Sequence, residues 1–198
     1  MNYVIRNLTV EETAEIYKEW IPKHFPKDEI KPLTHICRMW EQGAYCALGM
    51  YNGEKLVSYG FFAMAPGKDM LLLDYFAVLE DDRNLGAGSF FLKKMGQCLT
   101  EQRGVSYQGI LIETEDIAYA RSAEERQIRR KRDLFYEKNG AVRTGVVSEV
   151  YGVHYAIWNL PIAGNAGNAG TEECREQLKA IYRVMVEGDK YQRFVKII

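Results

Sequence analysis

Histidine and paired cysteine are what this sequence most lacks. Its 198 residues hold three histidines, His24, His35 and His154, and four cysteines, Cys37, Cys46, Cys98 and Cys174. No two cysteines form a C-x-x-C pair and the histidines lie far apart, so zinc-finger spacing is absent and no metal is expected. Each cysteine sits among apolar neighbours, which predicts reduced, mostly buried thiols. No apolar run approaches the ~18 residues of a membrane span. The opening MNYVIRNLTVEE carries charge too early, and too little apolar character, for a signal peptide. A soluble protein of a reducing, cytoplasmic compartment is the expectation. An excess of either charge is missing too: 26 Lys and Arg stand against 27 Asp and Glu, a net −1. Such a balance draws neither nucleic acid nor an anionic membrane, and neither is expected as a partner.

What the chain does have is apolar content, 47% of its residues, enough to bury one sizeable core. MNYVIRNL alternates like a strand. TVEETAEIYKEWI opens on Thr9 with Glu12 three residues on, a capping-box start for a helix. A second helix is predicted over Asp28–Gln42, with Ile30, Leu33, Ile36 (or Cys37) and Trp40 as its stripe. AYCALGMY and KLVSYGFFAMA flank Asn52-Gly53, a hairpin signal, and PGKD leads on to MLLLDYFAVL. Three strands thus form an antiparallel meander. After a glycine-bearing turn, a helix is predicted to about Arg103, with Phe91, Met95 and Cys98 or Leu99 inside. GILIE then reads as a buried strand, 118–138 as a long charged helix, and AVRTGVVSEVYG with VHYAIWNLP as a closing strand pair. AGNAGNAG (163–170) is a low-complexity linker. EECREQLKAIYRVMVEG is an amphipathic helix with Leu178, Ile181, Tyr182 and Met185 in register, and a short tail ends the chain. The fold class is mixed α/β, one central and mostly antiparallel sheet flanked by helices. The helical crossover makes strands Met70–Leu79 and Gly109–Glu113 its one parallel pair.

The stretch EDDRNLGAGSFFLKKMG, residues 80–96, places Gly86 and Gly88 where a strand hands over to a helix. Backbone N–H groups at a helix N-terminus, backed by the helix dipole, suit an anion, and glycine lets the backbone approach it closely. Such a nest fits a pyrophosphate, with Arg83 adding a charge-assisted contact. A Rossmann fingerprint needs a third glycine where Phe91 stands, and a P-loop needs Gly-Lys-Ser/Thr; both fail.

Arg83-Asn84-Leu85-Gly86-Ala87-Gly88, behind a strand ending YFAV, resembles the acetyl-CoA-binding motif Arg-x-x-Gly-x-Gly of the GNAT (Gcn5-related N-acetyltransferase) superfamily. The element order, the strand GILIE after the motif helix, and LFYEKNGA (134–141), similar to the family's lYeklGF segment, agree with it. The resemblance covers roughly residues 1–160. It implies a GNAT-like fold whose parallel strands splay apart, acetyl-CoA as cosubstrate without a metal, and acetyl transfer by direct attack of a primary amine on the thioester. The acceptor would be a small-molecule amine or a peptide. Backbone amides from Arg83, Asn84, Leu85, Gly86, Ala87 and Gly88, with Ser89 at the first helical turn, would hold the pyrophosphate. Phe76, Ala77 and Val78 would pair with the pantetheine arm, and Tyr136 would sit by the sulfur and protonate the departing thiolate. The chain departs from the family where Arg129 and Arg132 replace a usual Asn and Ala141 a usual Phe. RRKRDLFYEKNGA resembles a bacterial subset with arginine-rich helices before FY.

A base is needed as well, because the amine arrives as an ammonium. Period-two alternation places Glu113 and Glu115 on one face of the strand end. Asp74, assigned to the face of Phe76 and Val78, is another candidate; Glu113 is preferred. The acidic run Glu113, Glu115, Asp116 suggests a cationic amine. RQIRRKR (126–132) is flanked by acids at helical ion-pair spacing and reads as a solvated face, part of which could meet the CoA 3′-phosphate. Residues 161–198 form a linker and a C-terminal extension packed on the same domain or on a partner in a homodimer. The competing reading is a catalytically silent, CoA-binding or CoA-sensing module of the same fold.

Overall fold

The computed structural model describes residues 2–162 and 169–198; the linker at 163–170 lies, but for Ala169 and Gly170, outside them. Eight strands build one sheet: β1 (Tyr3–Asn7), β2 (Tyr45–Asn52), β3 (Lys55–Met64), β4 (Met70–Val78), β5 (Gly109–Glu115), β6 (Val142–Val150), β7 (Val153–Pro161) and β8 (Val195–Ile197). Their order across the sheet is β1-β2-β3-β4-β5-β7-β6-β8. Every pairing is antiparallel except β4 with β5, which is parallel because helix α3 (Ala87–Arg103) crosses over between them. The expected mixed α/β sheet with one parallel pair is therefore what the structure has.

Strand alternation divides the apolar residues between two cores. Met70, Leu72, Tyr75 and Ala77 of β4 face one cluster, shared with Ile36 and Met39 and with Leu178, Ile181, Tyr182 and Met185. Leu71 and Leu73 face the other, shared with Phe91, Leu92, Met95 and Leu99 of α3 and with Tyr136. Helices α1 (Val10–His24), α2 (Leu33–Glu41) and α5 (Thr171–Met185) thus cover one face, and α3 and α4 (Ala123–Lys138) cover the other. No helix among the described residues is long and apolar enough to cross a membrane.

Local chemistry explains most element starts. Thr9 accepts from the Glu12 backbone while the Glu12 carboxylate accepts from Thr9, the full capping box of α1. The helix expected over 28–42 is two pieces: a 3-10 turn at Lys27–Glu29, then α2 from Leu33. Pro32 divides them, since it biases Lys31 away from helical geometry and suits a position just ahead of a helix. Within α2, Met39 rather than Trp40 is fully buried with Ile36, and Trp40 packs half-buried against the same core. The charged helix also starts late: Ser122 caps α4 through the Glu125 amide, and 117–119 form a separate 3-10 turn. The short tail is not featureless. It forms α6 (Gly188–Phe194) and then β8, which pairs with β6 from Ser148↔Ile197 to Val150↔Val195.

Candidate active site

The parallel seam between β4 and β5 is short. It runs from Met70↔Gly109 to Leu73↔Ile112 and stops. Beyond that point 75–78 pair only with β3, and 113–115 only with β7. The edge of β4 that faced β5 is thereby left with backbone groups open to another extended chain. A β-bulge opens the seam: Phe61 faces Tyr75 and Phe62 faces Leu73, so Asp74 is the extra residue. The bulge also corrects the expected side of Asp74. It lies on the face of Tyr45 and Tyr75, whereas Phe76 and Val78 pack on the opposite core. There its side chain, 3% exposed, accepts from Lys31 Nζ at 2.6 Å and from the Tyr45 hydroxyl at 2.5 Å. Burial opposes the Lys31 charge, but Asp74, Tyr75 and Glu113 together hold its pKa above the usual lysine value.

A cavity of about 1140 Å³ occupies the opened seam, lined by 73–78, Arg83, Glu113, Glu115, Arg129, Arg132 and Tyr136, and on the other side by Glu29, Lys31, His35 and Tyr182. Of the residues singled out in the sequence, Asp74, Phe76, Ala77, Val78, Arg83, Glu113, Glu115 and Tyr136 line it together. Asn84, Leu85, Gly86, Ala87, Gly88 and Ser89 form the turn that follows Arg83 and do not line it.

In that turn Asn84 has φ +62° and Gly86, the N-cap of α3, has φ +83°, left-handed conformations that glycine adopts without strain. The first helical bond runs from the Phe90 amide to the Gly86 carbonyl, so the Ala87, Gly88 and Ser89 amides have no carbonyl within the helix. A Cβ on Gly86 would meet no atom within 4 Å, leaving room for a bulky anion; one on Gly88 would lie 3.2 Å from Phe135 and from Val78. Gly86 therefore serves the turn, and Gly88 the contact with α4. Arg83 Nε donates to the Val78 carbonyl at 3.0 Å, tying the turn to the end of β4 with the guanidinium at the cavity. These features fit the phosphates of a nucleotide thioester.

The two glutamates of β5 meet different surroundings. Glu113 accepts a short hydrogen bond from the Tyr182 hydroxyl of α5. Burial pushes its carboxyl up to about 7, against the opposing effects of Tyr182 and Lys31. Glu115 is ion-paired with Arg129 at 2.8 Å and Arg132 at 3.5 Å. Tyr136 comes from the other face, buried at 8% exposure, and burial raises its phenol to about 12. Its hydroxyl makes no hydrogen bond within the described residues. Arg129 departs from the solvated reading of the basic run. It is buried, donating to the Asp116 carbonyl at 2.5 Å as well as to Glu115 and Glu125. Arg126, Arg130, Lys131 and Arg132 are exposed. No local sequence pattern marks Lys31, Glu29 or Tyr182 as site residues; in the sequence Tyr182 belongs only to an apolar stripe.

A sheet that parts after Leu73 and Ile112, with a glycine turn and helix N-terminus beside the opening, defines the fold of the GNAT acetyltransferases. Solved structures of that fold align with nearly their whole length. A candidate GNAT-family acetyltransferase from Bacteroides thetaiotaomicron covers 93% of this chain and 99% of its own, at 15% identity and TM-score 0.62. The ribosomal-protein-S18-alanine N-acetyltransferase of Escherichia coli covers 84% and 99%, at 18% identity and TM-score 0.54. An acetyltransferase of Bacillus subtilis in complex with CoA covers 81% and 99%, at 12% identity and TM-score 0.55. No protein-family model matches the chain, and no curated protein matches its sequence.

Proposed function

We propose that the protein transfers the acetyl group of acetyl-CoA to a primary amine of a small molecule or peptide. The observation that carries the reading is the open seam after Leu73 and Ile112, with Glu113 reaching the cavity from one face of the sheet and Tyr136 from the other. The fold neighbours and the free edge of β4 support acetyl-CoA as the cosubstrate. Its phosphates would meet the Ala87–Ser89 amides and Arg83, and its pantetheine arm the backbone of 76–78.

In this reading the Glu113 carboxylate takes the proton from the acceptor's ammonium. A carboxyl near 7 is matched to that task at neutral pH, better than one at the ordinary value of about 4. The freed nitrogen lone pair attacks the thioester carbonyl, the carbon–sulfur bond breaks, and the sulfur takes a proton from the Tyr136 hydroxyl, while the second proton that the nitrogen sheds on becoming an amide returns to the Tyr136 oxygen. Burial keeps Tyr136 protonated, and the same dry setting raises the proton affinity of a thiolate leaving beside it. Asp74, neutralised by Lys31, serves to shape the site, and Glu115 to hold Arg129 and Arg132. Residues 161–198 would complete the same folded unit. Release of free thiol from acetyl-CoA, measured over a panel of polyamines, aminoglycosides, amino acids and peptides, tests the proposal. A folded protein that binds CoA yet releases no thiol with any amine would favour the silent CoA-binding module.

A further inference from the structure

We infer that Tyr182, delivered by the C-terminal helix α5, is a positioning residue for Glu113: its hydroxyl, held by Ser148, donates to the carboxylate and fixes it at the opening between β4 and β5. The inference rests on Glu113 as the proposed base, and extends it by making α5 part of the site. Tyr182 is 2% exposed, and its ring belongs to the core that α5 shares with β4. Its oxygen meets both Glu113 and, at 3.0 Å, Ser148 Oγ of β6. A phenol has one proton to donate. If that proton goes to the carboxylate, the Ser148 hydroxyl must donate to the phenol oxygen, and the donors line up from β6 through α5 to β5. Satisfying a buried phenol requires only one partner, and Ser148 already suffices. The bond to Glu113 exceeds what packing alone demands.

Four ionisable groups face Glu113 from the surrounding elements: Tyr182 of α5, Tyr155 of β7, Lys31 ahead of α2 and Asp74 of β4. Of these Tyr182 makes the direct hydrogen bond, and it favours the charged carboxylate against burial. Removing the hydroxyl must therefore raise the pH at which Glu113 loses its proton. Since a base acts only when deprotonated, the acid limb of the rate profile must move up with it.

The test follows the protonated carboxyl band of Glu113 by infrared difference spectroscopy against pH, assigned by its absence in Glu113→Gln. Tyr182→Phe should shift the midpoint upward by about one pH unit, the size of one hydrogen bond to a charged group. Ser148→Ala keeps the tyrosine ring and only weakens its hydroxyl, so it should shift the midpoint in the same direction by less. It serves alone if Tyr182→Phe does not fold. A midpoint unmoved in a folded variant overturns the inference. With acetyl-CoA and an accepted amine, the acid limb of kcat/KM should follow the infrared midpoint. A midpoint that moves while the limb stays supports the role of Tyr182 and overturns instead the assignment of Glu113 as base.

Discussion

Leu73 and Ile112 are the last residues to pair across the parallel seam, and one residue beyond each stands an acid that lines the cavity, Asp74 on one strand and Glu113 on the other. The two look alike in sequence, and the structure gives them opposite environments. Asp74 is held by a cation at 2.6 Å; Glu113 is held by a neutral phenol. Burial makes Glu113 bind its proton more tightly than an ordinary carboxyl does. Their variants should therefore fail differently.

Glu113→Gln should reduce turnover by about 10²-fold, the usual contribution of a general base, and should also change how stability depends on pH. The folded carboxyl titrates near 7 against a reference of 4.5. Its contribution is complete below about pH 4.5 and is lost as pH rises through 7, because the folded state binds the extra proton. The loss amounts to up to about 3 kcal/mol. Denaturant unfolding at pH 5 and pH 8 should show wild type losing stability between them and Glu113→Gln losing less. Parallel curves would contradict the assignment.

Lys31→Met should destabilise by about 3–5 kcal/mol, because it leaves the buried Asp74 carboxylate without its cation. Adding Asp74→Asn should recover most of that loss, since the uncompensated charge is then gone. A double-mutant cycle from urea unfolding measures the coupling. If the double variant is no more stable than Lys31→Met, the ion pair is not what holds this corner of the site.

Gly86→Asp should weaken CoA binding by about 10- to 100-fold, through the loss of one charge-assisted contact and repulsion of the phosphates. Aspartate is among the residues that tolerate a left-handed φ, and a Cβ there meets no neighbour, so the variant should fold. Calorimetric titration with CoA reads the affinity, and circular dichroism the fold. Wild-type affinity in a folded variant would place the phosphates elsewhere.

How much of this was legible depended on distance along the chain. The capping box at Thr9 and the turn at Gly86 are local demands of a few consecutive residues on the backbone, and they could be read directly. So could the parallel pair, because a helix between two strands forces a crossover. The bulge at Asp74 could not be read, because the extra residue exists only relative to Phe61 and Phe62 on the partner strand. The period-two rule therefore put Asp74 on the wrong face. Nor could Tyr182 be linked to Glu113: 69 residues separate them, and in the stripe of α5 a tyrosine looks like any other apolar position. Strand β8 looks like a plain tail in the sequence, because three residues at an edge carry almost no pattern.

Tyr136→Phe should reduce turnover by about 10²-fold when chemistry limits the rate, while acetyl-CoA binds as before. The ring keeps its place beside Phe135, with centroids 5.4 Å apart, and only the hydroxyl is lost. Single-turnover measurements separate chemistry from product release. Unchanged chemistry would make Tyr136 a core residue.

Truncation after Pro161 should abolish cooperative folding rather than merely alter selectivity. Helix α5 places Leu178, Ile181, Tyr182 and Met185 in the core that also contains Tyr45, Phe61 and Tyr75. Burying four such side chains is worth on the order of 10 kcal/mol, at about 1.5–3 kcal/mol each. That is as large as the whole net stability of an ordinary domain. Removing α5 would also bare one face of the central strands, an apolar surface that invites aggregation. Polar ties point the same way: Gln177 donates to Asp69 at 2.5 Å, and Thr171 to the Thr144 carbonyl at 2.7 Å, so the helix is fastened at both the β3–β4 turn and β6. The truncated chain should be insoluble, or soluble with a broad, non-cooperative thermal transition. A shortened protein that melts cooperatively at the wild-type temperature would show that the sheet does not need α5, and that the helix is an accessory to the fold.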